Sequence, residues 1–355
     1  MKKALIFDPY LDTLGGGERY ILTVAKVLTK SGYKVSLAWP SQEILESATF
    51  RFGLDLKNIT ADLGAFELFK SSGKILKKIE VTKKYDLVFF LSDGSIPFLF
   101  GKKNILHFQV PFKEIINPRN LNIVKFKLIN KFVYNSRFTQ NVLERNLPKK
   151  GVVIYPPIDT DGFKPAKKKE NMILAVGRFH SPSHAKRQDI LIEGFRELDK
   201  KTKGDYKLIL AGGLRGGDKE LLKLKTKARG LPIEFKVSPS FEELVSLYSK
   251  AKIFWHAAGF GIDELEDPDK VEHFGMTTVE AMAAGCVPVV CNKGGQKEII
   301  NSGAGFLWDT IPELVSHTFK LIKTPTLVKK TVKKATARSK DFNLTTFEEN
   351  LKKII

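Results

Sequence analysis

Glu272 and Glu280 stand eight positions apart in "VEHFGMTTVEAMAAG", with a Phe-Gly pair between them and a run of small residues after them. Two carboxylates so placed, one before a glycine turn and one inside the helix that follows, can accept hydrogen bonds from paired hydroxyls. A helix opening at Gly275–Thr277 adds free backbone amides and the positive end of its dipole, which suit a phosphate. A plainer reading covers half of this. Thr277 as N-cap with Glu280 at the third helical position makes a capping box. It leaves Glu272, "HFG" and the second glycine pair, in "CNKGGQKEII", without a purpose. A diphosphate on the amides, a ribose on one carboxylate and a sugar on the other would use every part.

Other residues could join them. "VGRFHSPSHAKRQ" ends a strand at Gly177-Arg178 and opens a helix near Lys186. An arginine and a lysine so placed can converge on a pyrophosphate, with Arg187 as a substitute for Lys186, or they are solvated surface charge. Gly15–Gly17 fall between the first strand and first helix, where bare backbone can approach a ligand or simply turn. A dinucleotide fingerprint is incomplete there, because Tyr20 stands where the last glycine belongs and no acid follows the second strand. Ser92–Gly94 and His107, in "HFQVP", lie at the ends of strands, although a lone histidine is more often a hydrogen-bonded core residue. Asp159–Asp161 ("DTD") and residues 267–269 ("DPD") match a short metal-binding pattern. Hard cations need several converging oxygens, so neither is assigned a metal.

The elements that would position these residues alternate. "KALIFDP", "YKVSLAW", "YDLVFFLSDG" and "KNILHFQVP" read as strands, with a helix over Glu18–Ser31. The pattern restarts after "YPPIDTDGFKP" (155–165) with "MILAVGRF", a helix near 185–200, "YKLILAGG", a helix near 218–229, "IEFKV", a helix near 241–251, "KIFWHA" and "CVPVVCN", then a helix from about Lys297. Such alternation implies parallel sheets wound by right-handed crossovers. The fold class expected is α/β, two Rossmann-like domains facing across a cleft. The first covers 1–157 and the second 158–340, and a C-terminal helix over 341–355 has the first domain as its candidate docking face. A length of 355 residues suits two domains.

Lys and Arg number 59 against 39 Asp and Glu, a net charge of +20 borne by both halves. That field attracts phosphates, nucleotides or anionic lipid. No zinc-finger, RRM-like or arginine-rich element accompanies it, so nucleic acid is set aside as a partner. No signal peptide or membrane-spanning stretch is read, and two cysteines five apart suit a reducing cytoplasm. Lysines alternating with Val124, Phe126, Leu128 and Ile129 in "NIVKFKLINKF" suggest peripheral attachment to an anionic membrane face, aided by Lys74–Lys84 and Lys102–Lys103.

Taken together, "EHFGMTTVEAMAAGCVPVV" resembles the E-x7-E signature of retaining glycosyltransferases of family 4, which have the GT-B fold. The likeness spans nearly the whole chain through "GGGERY", the strand-end histidine, "YNSRFTQNVL", "IYPPID", "GR…K" and "GG…EII". "GGGERY" with "EHFGMTTVEAMAAG" is similar to mannosyltransferases that extend lipid-linked oligosaccharides. The resemblance implies a nucleotide-sugar donor, GDP-mannose ahead of a UDP-sugar, and a glycan or lipid-linked acceptor, with no cofactor and no metal. It implies that Arg178 and Lys186 hold the diphosphate and Glu280 the ribose. Glu272 and the amides of His273, Phe274, Gly275 and Met276 would hold the transferred sugar. Gly16 and Gly17 would approach phosphate and acceptor, and His107 would lie by the reacting centre. An acidic loop, "IDELEDPDKV" (262–271), precedes Glu272 where many members are shorter.

Two alternatives stand beside this reading: another GT-B-fold enzyme, a phosphorylase or sugar-nucleotide epimerase, and a non-catalytic basic nucleotide- or anion-binding protein. With cationic side chains in place of a metal, transfer is expected to persist in excess EDTA. Activity lost on chelation and restored by manganese or magnesium would overturn that.

Overall fold

Runs such as Leu87–Leu91 and Val287–Cys291 are apolar throughout, which a strand tolerates when both faces of its sheet are covered. The computed structural model describes residues 1–71, 73–114, 119–148, 150–179, 186–214 and 216–355. They form two compact units, Met1–Pro157 with Thr345–Ile355, and Ile158–Leu344.

The first unit holds β1 (Lys2–Phe7), β2 (Tyr33–Ala38), β3 (Ile59–Ala61), β4 (Leu87–Leu91), β5 (Lys103–Phe108), β6 (Lys131–Tyr134) and β7 (Val152–Val153). Their order is β3-β2-β1-β4-β5-β6-β7, and the pairs are parallel. Ala4 and Ile6 point into one apolar cluster and Leu5 and Phe7 into another, so period-2 alternation serves two helical layers. The helix Leu344–Lys352 completes the first cluster with Phe347 and Leu351, and Phe347 meets the Tyr20 ring edge-on at 5.0 Å.

The second unit repeats the plan with β8 (Glu170–Val176), β9 (Lys207–Gly212), β10 (Ile233–Val237), β11 (Ala251–His256), β12 (Val287–Cys291) and β13 (Phe306–Trp308), in the order β10-β9-β8-β11-β12-β13. In each sheet the strand order reverses once, between β1 and β4 and between β8 and β11. Ligands of open α/β sheets bind outside the carboxyl ends of strands at such a reversal.

The basic stretch read as a membrane face is corrected here. Phe126, Ile129 and Phe132 are buried in the first unit's core, and the buried Lys125 lays its ammonium 5.0 Å from the Phe98 ring. Val124 is exposed, whereas Phe126, Ile129 and Phe132 face inward because β6 and its preceding helix need those side chains to close the sheet.

At the first reversal Asp8, one residue past β1, is fully buried. Its Oδ1 accepts the amide of Tyr10 at 2.8 Å, and its Oδ2 has no partner among the described residues. Burial first, and the nearby Glu18 next, push its carboxyl from 3.8 up to about 8. The unfolded chain releases this proton near 3.8 and the folded chain holds it to about 8, so wild-type stability drops as pH rises through that window. Asp8→Asn should therefore gain in melting temperature over wild type from about pH 4 to 8 and hold a constant gain above. Paired thermal melts read it; a gain independent of pH would contradict the burial argument.

Candidate active site

At the second unit's reversal, β8 ends into Gly177-Arg178 and β11 ends on His256. Arg178 is exposed, and the Gln188 side chain fixes its backbone by donating to its carbonyl at 3.2 Å. The helix expected near 185 spans Gln188–Thr202, so Lys186 lies on the approach to it rather than in its first turn. Arg187 is not an equivalent of Lys186. Its guanidinium is committed to both oxygens of Asp189 at 3.0 Å and to the Phe260 carbonyl at 2.7 Å.

Lys186 and Glu272, which the sequence reading gave to different parts of a donor, meet directly. Lys186 Nζ lies 2.6 Å from Glu272 Oε2, and His256 Nε2 reaches the same oxygen at 2.9 Å. Burial alone would raise the Glu272 carboxyl. The Lys186 charge and the His256 hydrogen bond outweigh it and hold the carboxyl well below its ordinary range. The group is a carboxylate at any working pH, an acceptor and not an acid.

The backbone beside it is built by close approach. Gly295 N donates to the Glu272 carbonyl at 2.8 Å, and a Cβ on Gly294 would come within 2.1 Å of that oxygen. The second glycine pair thus serves to seat residues 272–274. Glu264, in the acidic loop, accepts the Gly294 amide at 2.8 Å and pairs with Lys297, fastening loop to turn.

Gly275 adopts φ +119, open to glycine, and caps the helix Met276–Ala283. The capping box expected from Thr277 and Glu280 is therefore absent: the helix starts two residues earlier than that box requires. Glu280, buried, instead accepts the Tyr248 hydroxyl at 3.0 Å. His273 sets Nε2 against the Asp269 carbonyl at 3.0 Å, Phe274 packs edge-on against Phe342 at 5.3 Å, and Met276 is the first helical residue. Under Gly275 lies Gln296, fully buried, whose amide nitrogen and oxygen have no partner among the described residues.

In the first unit, Gly16 and Gly17 open the helix Gly16–Lys30. Glu18 folds back to accept the Gly15 amide and the Thr13 hydroxyl, so a protein carboxylate already lies at that helix end. His107 is corrected. It is fully buried in β5, stacked 4.3 Å from Tyr20, with Nδ1 on the Val133 carbonyl at 3.1 Å, and burial pushes its imidazole down to about 3. A ligand cannot reach it. The polar residue that stands past the end of β5 is Gln109, which donates to the Gly17 carbonyl at 3.1 Å. His256 was missed because "KIFWHA" read as an apolar strand.

Neither short acidic pattern gathers ligands. Asp159 accepts the Gly162 amide and Asp267 pairs with Lys270, and no cluster of three or more His, Cys, Asp or Glu suited to a metal occurs among the described residues. No helix among them is long and apolar enough to cross a membrane.

Several known proteins are similar to this chain. The profile of the family "Glycosyl transferases group 1" matches residues 158–338. A segment of the chain is 33% identical over 178 residues to the GDP-Man:Man(3)GlcNAc(2)-PP-Dol alpha-1,2-mannosyltransferase of Xenopus laevis, covering 45% of this chain and 34% of that protein. The match thus spans about a third of the length of such curated relatives. Among solved structures, a glycosyltransferase of Rickettsia africae superposes with a TM-score of 0.77 at 21% identity, over 99% of this chain and 98% of its own. HepE of Anabaena, solved with UDP and glucose, gives 0.73 at 17% identity over 99% of both chains. These likenesses establish the GT-B fold, two parallel-sheet α/β domains. With the family profile covering half its length, the chain is a member of the group 1 glycosyltransferases.

Proposed function

We propose that this chain transfers a hexose, with retention of anomeric configuration, from a nucleoside-diphosphate sugar to a glycan or lipid-linked acceptor. The observation that carries the reading is the Lys186–Glu272 pair at the carboxyl ends of β8 and β11, beside the amides of the helix Met276–Ala283. A cation, a carboxylate and the N-terminal amides of a helix are what a diphosphate with an attached polyol requires. Arg178, exposed at the strand end, and Lys186 take the diphosphate. Glu272 and the amides of residues 273–276 take the sugar. Glu280 takes the ribose. Gly16 and Gly17 serve the acceptor side.

Mannose is the favoured hexose, on the strength of relatives named as GDP-mannose-dependent enzymes. HepE, solved with UDP and glucose, keeps uridine donors in the comparison. A hydrolysis and transfer panel over GDP-mannose, UDP-glucose, UDP-GlcNAc and UDP-galactose is the test, and turnover of none would overturn the proposal. On the preferred donor, Arg178→Ala should cost about 1.5–3 kcal/mol in kcat/KM, one charge-assisted contact. Because Arg178 is exposed, its melting temperature should not move; unchanged kinetics would remove Arg178 from the diphosphate.

Attachment to an anionic membrane surface is retained for Lys74–Lys84 alone. There Lys74, Ile75, Leu76 and Lys77 are all exposed at the start of the helix Ile75–Thr82. Salt-sensitive pelleting with anionic and not neutral vesicles is expected, weakened in Leu76→Glu. Pelleting with neither kind of vesicle would end this part.

A further inference from the structure

Glu272 Oε2 is shared by two donors from different elements, and the two are not equivalent. Lys186 precedes a helix and keeps 30% of its side chain exposed, whereas His256 ends β11 and keeps 3%. Lysine is a flexible point charge on a long stem. The imidazole is a rigid donor set in the sheet, with the fully buried Trp255 before it and Ala257 after it. If a diphosphate occupies the site, it competes with Glu272 for the Lys186 ammonium. The carboxylate then keeps one protein donor among those present, His256 Nε2.

We propose that His256 is the positioning residue of this site, holding Glu272 toward the transferred sugar while Lys186 turns to the diphosphate. The inference rests on the donor reading given above and adds to it a residue with no other assignment. The bond itself sets the tautomer, since Nε2 must carry the proton it donates to a carboxylate. Nδ1 is left buried and without a partner among the described residues. The nitrogen that is satisfied is the one that faces Glu272. The backbone of Glu272 is fixed separately by Gly295 N at 2.8 Å, so His256 governs the side chain and not the path of the loop.

Three full-length variants test it: His256→Gln, whose amide nitrogen can occupy the place of Nε2; His256→Asn, which is too short; and His256→Leu, which fills the space without a donor. The readouts are kcat and KM on the donor that wild type turns over, Kd for GDP and UDP by calorimetry, and thermal melts. Leu and Asn should lower kcat/KM by about 10- to 100-fold, the scale of losing a group that orients a first contact. Nucleoside-diphosphate Kd should stay within about twofold, because Lys186 and Arg178 are intact. Gln should recover most of the loss. The inference fails if Leu matches wild type in kcat/KM, or if all three variants lose turnover, nucleotide binding and melting temperature together. Wild type that turns over no donor overturns the transferase reading instead, and this inference with it; active wild type with an unaffected Leu variant overturns this inference alone.

Discussion

A carboxylate that water scarcely reaches must be given donors or lose its charge. Glu272 is in that position, and the second unit's chemistry follows from how the demand is met. Two donors on one oxygen fix the charge and the rotamer together. The backbone beneath is held by a glycine pair so close that no side chain fits, and the loop ahead is pinned to the same turn through Glu264. The helix amides that follow are oriented because Gly275 can take a turn other residues avoid. Each of these features would lack a reason if Glu272 were elsewhere.

The acidic loop takes a different meaning in this light. Read as charge, "IDELEDPDKV" could have opposed a positive surface. Read as structure, Glu264 is spent on Lys297 and a backbone amide, and Lys297 and its own burial leave it little field to offer. Asp267 is likewise paired, with Lys270. Through Glu264 the loop acts as a fastening.

The fold class was legible because β–α alternation is a property of periodicity, and a one-residue error in a strand end does not change it. The E-x7-E stretch was legible as a motif because a helix cap explained only half of its parts. What escaped was direction. His107 and Gln109 are two apart on and just past one strand, where the chain passes from a covered sheet to its open end, and local sequence does not mark where cover stops. Thr277 and Glu280 fitted a helix-cap pattern that Gly275 pre-empted by starting the helix sooner. In "NIVKFKLINKF" the lysines masked a core-facing stripe, since Lys125 can bury its stem along Phe98. His256 looked apolar by company, and its partner lay sixteen residues on, within a loop no periodicity describes.

The C-terminal segment Thr345–Ile355 places Phe347, Leu351 and Ile354 in a core otherwise made by residues from the first 157 positions. The first unit is therefore not a continuous piece of chain. A ribosome must deliver the whole second unit before the first can bury Tyr20 and its neighbours under their last cover. Sequential, domain-by-domain folding in order of synthesis is closed to this topology; the unit made first is the one finished last. A cut at the end of the second unit, Leu344, would leave that unit whole and expose apolar surface on the first.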